Sequence, residues 1–131
     1  MTDWNNKEEV LEELEYEGYY LEYASEELKS DREFILSAVK KNGSALGYAS
    51  EELRADREIV MDAVAMYGDA LEFASEELQA DPEVAMTALT NVGYSGSTTA
   101  YFIGEPLLKD RNFMISALNE VEDFGTSDPY I

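Results

Sequence analysis

The sequence predicts an all-α protein, a short α-solenoid of about four to five two-helix repeats of 25 residues. A six-residue motif, Tyr23-Ala24-Ser25-Glu26-Glu27-Leu28, recurs at 48–53 and, with Phe73 in place of tyrosine, at 73–78. A second motif, Asp31-Arg32-Glu33, recurs at 56–58, as Asp-Pro-Glu at 81–83, and as Asp-Arg-Asn at 110–112 after a step that is four residues longer. The same register holds a glycine at four positions: Gly18, Gly43, Gly68 and Gly93.

These repeats predict one domain over residues 1–125 and a flexible tail at 126–131. The predicted units are about 6–30, 31–55, 56–80, 81–109 and 110–125. Helices this short are marginal in isolation. Their stability therefore has to come from stacking each unit on the next.

The first helix of each unit is predicted to begin after an aspartate. Asp31 suits the N-cap because its carboxylate accepts the free N–H groups of the first turn, and Pro82 fits the first helical position of a later unit. An apolar face follows, formed in the second unit by Phe34, Ile35, Ala38 and Val39. Alanine recurs at one position of this face, as Ala38, Ala63, Ala88 and Ala117. A small residue there predicts close approach of neighbouring helices.

A glycine and a shorter helix are predicted to complete each unit. Gly43 predicts the end of the first helix, because glycine readily adopts the left-handed conformation of a helix C-terminus. Leu46, Tyr48 and Ala49 are assigned to a second, shorter helix. The following Ser50-Glu51-Glu52-Leu53 motif is typical of a capped final turn.

The first unit and an insertion in the fourth unit depart from this pattern. In the first unit Glu9 and Glu13 stand where the second unit has Phe34 and Ala38. Such replacement is expected of a terminal unit whose outer face meets solvent. The inserted stretch 94–99 predicts a loop on one face of the array.

The stretch Leu46-x-Tyr48-Ala49-Ser50-Glu51-Glu52-Leu53-x-x-Asp56-Arg57-Glu58-x-Val60 resembles a helical repeat family catalogued as a domain of unknown function. The resemblance covers roughly residues 6–125 and is best over 21–92. It implies a tandem helical architecture. It implies no catalytic or binding role for any residue.

The composition argues against most catalytic and metal chemistry. The chain contains no Cys and no His, so it lacks thiolates, disulfides, the commonest general base and the commonest transition-metal ligand. The most regular carboxylates recur in every unit, and no phosphate-binding glycine loop or calcium loop is recognisable. We therefore expect a non-enzymatic protein without a cofactor or a metal site. The sequence has no signal-peptide pattern and no membrane-spanning stretch, which predicts a cytoplasmic location.

The net charge is the strongest indication of function. There are 29 acidic and 9 basic residues, a formal net charge of −20. Such a surface repels nucleic acids and anionic membranes and attracts basic proteins. The predicted partner is therefore a basic protein, without direct contact to nucleic acid or membrane.

Partner-binding residues are predicted from the repeat and from the first unit. If units stack roughly 8–10 Å apart, the repeated glutamates form two rows along one edge. Tyr19 and Tyr20 have no aromatic counterpart in later units, and tyrosine is a typical interface anchor. Tyr23 shares its register with Tyr48 and Phe73 and is expected in the core. The candidates are Glu12, Glu13, Glu15, Tyr19, Tyr20, Glu26, Glu27, Glu51, Glu52, Glu76 and Glu77.

Two interpretations of this surface remain open. Regularly spaced negative charge on a rigid support favours a nucleic-acid mimic, which would inhibit a DNA- or RNA-binding protein as anti-restriction and anti-CRISPR proteins do. The alternative is a generic protein–protein interaction adaptor whose acidic surface only confers solubility.

Overall fold

The computed structural model describes residues 3–91 and 99–123, and every regular element in these ranges is helical. The prediction of an all-α protein is confirmed. The α-helices are α1 (Lys7–Leu14), α2 (Glu26–Lys29), α3 (Arg32–Lys41), α4 (Glu51–Arg54), α5 (Arg57–Met66), α6 (Glu76–Gln79), α7 (Pro82–Thr90), α8 (Glu105–Leu108) and α9 (Arg111–Asp123). The 3-10 segments are Gly18–Tyr23, Gly43–Tyr48, Gly68–Phe73 and Thr99–Phe102.

The repeating unit contains three helical segments, where the sequence predicted two. In the second unit these are α3, the 3-10 segment Gly43–Tyr48 and the one-turn helix α4. Ala49 and Ser50 have extended backbones between the last two segments. The Ser50 hydroxyl accepts the N–H of Leu53 at 3.3 Å. This cap starts a new helix, so the predicted second helix ends before the Ser-Glu-Glu-Leu motif.

Aspartates cap the long helices as the sequence predicted. The Asp56 carboxylate accepts the N–H groups of Glu58 and Ile59 at 3.1 and 3.3 Å. Asp31 and Asp81 cap α3 and α7 in the same way. Because first-turn N–H groups have no partner inside the helix, each cap stabilises its helix by about 1 kcal/mol.

Gly43 and Gly68 do not end helices in the left-handed conformation, so that prediction is wrong at these two positions. Helix α3 ends at Lys41, and its C-cap Asn42 is extended, with φ −152°. Gly43 and Gly68 are buried at the start of the following 3-10 segments. A Cβ on Gly43 would lie 2.7 Å from the Ala63 carbonyl oxygen of the next long helix. Because the two backbones approach so closely, no side chain fits at this position, and glycine is required.

Equivalent elements of consecutive units pack against each other. The long helices α1, α3, α5, α7 and α9 adjoin in that order, and the 3-10 segments adjoin in the same order. The apolar face is buried as predicted: Ile35, Ala38 and Val39 are fully inaccessible, as is Ala63 one unit later. One continuous core extends along the described chain, and the α1 residues Glu9 and Glu13 lie outside it.

The inserted stretch is only partly within the described residues. Positions 94–98, Gly93 and the predicted tail at 126–131 lie outside them. Thr99 opens the last 3-10 segment and is fully buried, so the loop prediction is wrong at this position. Counted back from Gly104, Thr99 takes the register of buried Ala70. Its hydroxyl donates to the carboxylate of Asp69.

Candidate interaction surface

Three pairs of glutamates occupy the same position on successive one-turn helices. Each pair is followed by a buried leucine, Leu28, Leu53 or Leu78. Because that leucine packs into the core, each helix turns its two glutamates toward solvent. The pairs are Glu26 and Glu27 on α2, Glu51 and Glu52 on α4, and Glu76 and Glu77 on α6, and all six are exposed. We call these six residues the glutamate edge.

A recurring backbone hydrogen bond sets the spacing of the edge. The N–H of Ser50, the N-cap of α4, donates to the carbonyl of Lys29, the last residue of α2, at 3.1 Å. The equivalent bonds join Ser75 to Arg54 at 3.0 Å and Gly104 to Gln79 at 2.9 Å. Each one-turn helix is thus tied to the end of the preceding one.

Consecutive pairs of the edge border common grooves. Glu51 and Glu76 both line one groove, which is also lined by Phe73 and by the cationic Arg54. Glu76, Glu77 and Glu105 border the next groove. Pro106 follows Glu105 on α8, so the second glutamate of the pair is missing there. The structure therefore brings together neighbouring members of the predicted rows.

Three cations lie at the N-termini of the long helices and pair with acids of the next unit. Arg32 Nε donates to Asp56 at 2.7 Å, and the same guanidinium pairs with Glu58. Arg57 repeats the arrangement with Asp81 at 3.3 Å. The third cation, Lys7, lies 2.5 Å from Asp31. We call Lys7, Arg32 and Arg57 the cation row.

The cation row was not among the predicted sites, although the spacing of the repeat indicates it. Arg32 and Asp56 are 24 residues apart, as are Arg57 and Asp81. In an array with a period of 25 residues, this offset places the first helical residue of one unit beside the N-cap of the next. The row therefore connects consecutive units through their N-caps.

The cation row contributes to lowering the pKa of each N-cap aspartate. The hydrogen bond from Arg32 is the main cause that lowers the pKa of Asp56, and the hydrogen bond from Lys7 is the main cause that lowers the pKa of Asp31. Burial alone raises the pKa of Asp81. The Val84 N–H and Arg57 outweigh that effect, so the pKa of Asp81 is also lowered.

Acid is expected to remove the stability that these aspartates contribute. Their folded-state pKa values lie below the ordinary value of about 3.9, so the contribution is present above that pH and is lost as the pH falls through the folded-state values. A triple variant, Asp31→Asn with Asp56→Asn and Asp81→Asn, retains N-caps without charge. In urea titrations, the difference in free energy of unfolding between wild type and variant should narrow below about pH 4. A difference that stays constant through this range would contradict the assignment.

The glutamate edge has few cations of its own. Lys29 lies 3.5 Å from Glu26, whose side chain is 92% exposed, and ion pairs of this kind contribute little. The Lys29 ammonium also donates to the Glu22 carbonyl at 3.0 Å, and uncharged Gln79 takes the equivalent place on α6. Within residues 3–91 and 99–123, no ion pair involves the other five edge glutamates, Glu27, Glu51, Glu52, Glu76 and Glu77.

The predicted glutamates of the first unit have different surroundings. Glu15 pairs with Lys41 of the second unit at 2.6 Å, and this hydrogen bond lowers the pKa of Glu15. Glu12 is exposed on α1, whereas Glu13 is half-buried. Glu15 therefore joins two units, and Glu12 is the more accessible of the two α1 candidates.

Aromatic residues cluster at the start of the chain. The Tyr19 and Tyr20 ring centroids are 4.7 Å apart, and Tyr20 lies 6.3 Å from the ring of Trp4. Tyr19 is 47% exposed, whereas Tyr20 and Trp4 are half-buried. Of the two predicted anchors, Tyr19 is the more accessible, and the Tyr20 ring packs beside it.

Tyr23 is 55% exposed, so its predicted core position is wrong. In a later unit Phe73 lies against Gly47 of the preceding unit. The ring of Tyr23 packs instead beside Trp4, with a centroid separation of 5.3 Å.

The acidic side chains of the described residues are dispersed. No group of three or more of them in residues 3–91 and 99–123 is placed to hold a metal ion. Over the same ranges, no helix has both the length and the apolar composition needed to cross a bilayer. The edge is thus a row of separate charges.

One protein-family model matches two segments of the chain, residues 6–54 and 56–97. That family is described as a domain of unknown function, DUF4116. The first matched segment contains α1 to α4 and the second contains α5 to α7. Together they account for more than half of the chain. No curated protein and no solved structure matches it.

Proposed function

The chain belongs to the domain family of unknown function DUF4116, and we propose that it is a non-enzymatic binding protein whose glutamate edge engages a basic partner protein. The observation that carries the proposal is the uneven distribution of charge. Six exposed glutamates share one weak ion pair, that of Glu26 with Lys29, whereas the cation row neutralises carboxylates elsewhere. A basic surface therefore gains most by approaching this edge.

We infer further that the units stack as a short α-solenoid of four to five repeats. Supporting this arrangement, the long helices adjoin in chain order, and a backbone hydrogen bond recurs between successive one-turn helices. In such an array each unit contacts only its neighbours, so the spacing of repeated side chains is fixed. Because the fold already holds the backbone of this row in place, less conformational entropy is lost when a partner binds.

The charge density of the edge bears on the kind of partner. A four-residue helix is about 6 Å long, and with its junction to the next helix the step between pairs is roughly 10 Å. Two glutamates per step give one charge per ~5 Å, compared with one per ~3.4 Å along each strand of DNA. The edge is thus sparser than a nucleic-acid strand. This favours a basic protein surface in general. To match the charge density of a nucleic-acid strand, a mimic would need additional negative charge from carboxylates beside the edge.

Affinity capture from a cell extract, eluted with a salt gradient, tests the proposal. The captured partner should be basic and should elute at moderate salt, because exposed charges are screened over a Debye length of about 8 Å at physiological ionic strength. A variant with Glu51→Lys and Glu76→Lys should bind at least about tenfold more weakly. Release by added DNA or RNA would support the mimic. A partner that is not basic and stays bound through high salt would contradict the proposal.

The exposed tyrosines of the first unit favour a second candidate, a protein–protein interaction adaptor. Tyr16 is 79% exposed, Tyr19 47% and Tyr23 55%. Aromatic side chains anchor interfaces by filling pockets of the partner, and such contacts depend little on salt. Under this alternative Tyr19→Ala is the damaging change, and the Glu51→Lys and Glu76→Lys variant binds normally.

A further inference from the structure

The groove between α6 and α8, which Glu76, Glu77 and Glu105 border, is otherwise lined mainly by apolar residues. Its volume is about 670 Å³, within the range of about 300–1,000 Å³ that is common for ligand sites. The apolar part of its lining consists of Ala80, Tyr101, Phe102, Ile103, Gly104 and Pro106. We call this site the α6–α8 groove.

A glycine brings the start of α8 close to the end of α6. Gly104 takes the N-cap position that Ser50 and Ser75 hold in earlier units. Its N–H donates to the carbonyl of Gln79 at 2.9 Å, and a Cβ on it would lie 2.8 Å from the Cβ of Ala80. Because the two elements meet through backbone atoms and a small side chain, the fold fixes the separation of their backbones.

The α6–α8 groove contains an aromatic side chain that the core does not use. Tyr101 is 82% exposed and is not packed against the core, whereas its neighbour Phe102 is half-buried and packs on it. Counted back from Gly104, Tyr101 takes the register of Gly47 and Glu72, so the earlier units have no aromatic residue at this position. Most of the Tyr101 side chain is therefore available to a partner.

No cation lines the α6–α8 groove. All nine basic residues of the chain lie within residues 3–91 and 99–123, and none of them is part of this lining. Helices α2 and α4 end in Lys29 and Arg54, whereas α6 ends in uncharged Gln79. Lys109 lies 3.6 Å from Glu105, but both side chains are exposed and such a pair contributes little. Charge complementarity therefore favours a cation here more than in the preceding groove, which Arg54 lines.

We propose that the α6–α8 groove binds an arginine side chain of the basic partner, a specificity that rests on the proposed function of the glutamate edge. The aliphatic part of an arginine side chain packs on apolar surface while its charged end stays near water. The lining of the groove suits this division, because its charged residues are exposed glutamates and most of its other residues are apolar.

The combination of a ring and carboxylates favours arginine over lysine. A planar guanidinium stacks on an aromatic face and donates several N–H groups to carboxylates, whereas a compact ammonium is more strongly hydrated. Tyr101 supplies the ring. Glu76 and Glu77 supply the acceptors, since neither has an ion pair in the described part of the chain.

Two labelled peptides of equal length, one of arginine and one of lysine, test this proposal by fluorescence anisotropy at one ionic strength. We expect the wild-type chain to bind the arginine peptide more tightly. Tyr101→Leu should lower the affinity for the arginine peptide at least about threefold and that for the lysine peptide less. Tyr16→Leu is the matched control, because Tyr16 is 79% exposed and does not line the groove. It should change neither affinity.

A third variant separates this proposal from that of the glutamate edge. Replacing Glu51, Glu52, Glu76 and Glu77 with glutamine should weaken the binding of both peptides. If both affinities stay unchanged, the edge is not the binding surface and both proposals fail. If both affinities fall, but Tyr101→Leu affects the arginine peptide no more than Tyr16→Leu does, only the arginine proposal is overturned.

Discussion

Replacing Gly68 with alanine is expected to lower the free energy of unfolding by at least about 2 kcal/mol. The added Cβ would overlap the Ala88 carbonyl oxygen and would lie 3.1 Å from the Asn91 carbonyl oxygen. The latter oxygen accepts the N–H of Gly68. Because both clashing oxygens belong to the backbone, the clash can be relieved only if α7 shifts. Urea unfolding followed by circular dichroism measures the loss.

Gly47→Ala provides the matched control. Gly47 lies in an equivalent 3-10 segment, and its substitution gives the same entropic gain of about 0.4–1 kcal/mol from a stiffer unfolded chain. A Cβ there would approach the Phe73 ring at 3.0 Å, and a ring can shift more easily than a carbonyl. We expect a loss below about 1 kcal/mol. Equal losses in the two variants would contradict the close backbone approach at Gly68.

Asp56→Ala is expected to cost about 2 kcal/mol, because one carboxylate has two roles. It accepts the Glu58 and Ile59 N–H groups at the start of α5, and it pairs with Arg32 of the preceding unit. Loss of an N-cap costs about 0.5–2 kcal/mol. Loss of a partly exposed ion pair adds up to about 1 kcal/mol.

Two further substitutions separate these roles. Asp56→Asn keeps a good N-cap and removes only the charge, so it should cost less than about 1 kcal/mol. Asp62→Ala removes a half-buried acid from the middle of the same helix and should be close to neutral, because alanine favours helix. If Asp62→Ala is as damaging as Asp56→Ala, the cap is not the cause.

The long helices could be predicted because their signals are local. The N-cap of Asp31 and the apolar face of Ile35, Ala38 and Val39 depend on residues within one helix. The role of Gly43 could not be predicted in the same way. Its reason is the Ala63 carbonyl, 20 residues later in the chain, and a helix-ending glycine has the same local appearance.

The candidate surface was predictable where the repeat determined it. Glu51 and Glu76 face one groove because equal register puts equal positions side by side. Glu15 and Tyr23 were harder to place, because their contacts do not repeat in the later units. Glu15 pairs with Lys41 of the next unit, and the Tyr23 ring packs beside Trp4.

The most direct test of the binding surface compares two variants of equal net charge. The edge variant carries Glu51→Gln, Glu52→Gln, Glu76→Gln and Glu77→Gln. The control variant carries Glu8→Gln, Glu17→Gln, Glu33→Gln and Asp62→Asn, so both lose four negative charges from the wild-type −20. Affinity for a labelled oligolysine peptide, a probe of basic protein surface, is measured by fluorescence anisotropy. We expect the edge variant to lose at least about tenfold in affinity and the control variant far less. Equal losses would mean that only total charge matters and would contradict a binding surface at the glutamate edge.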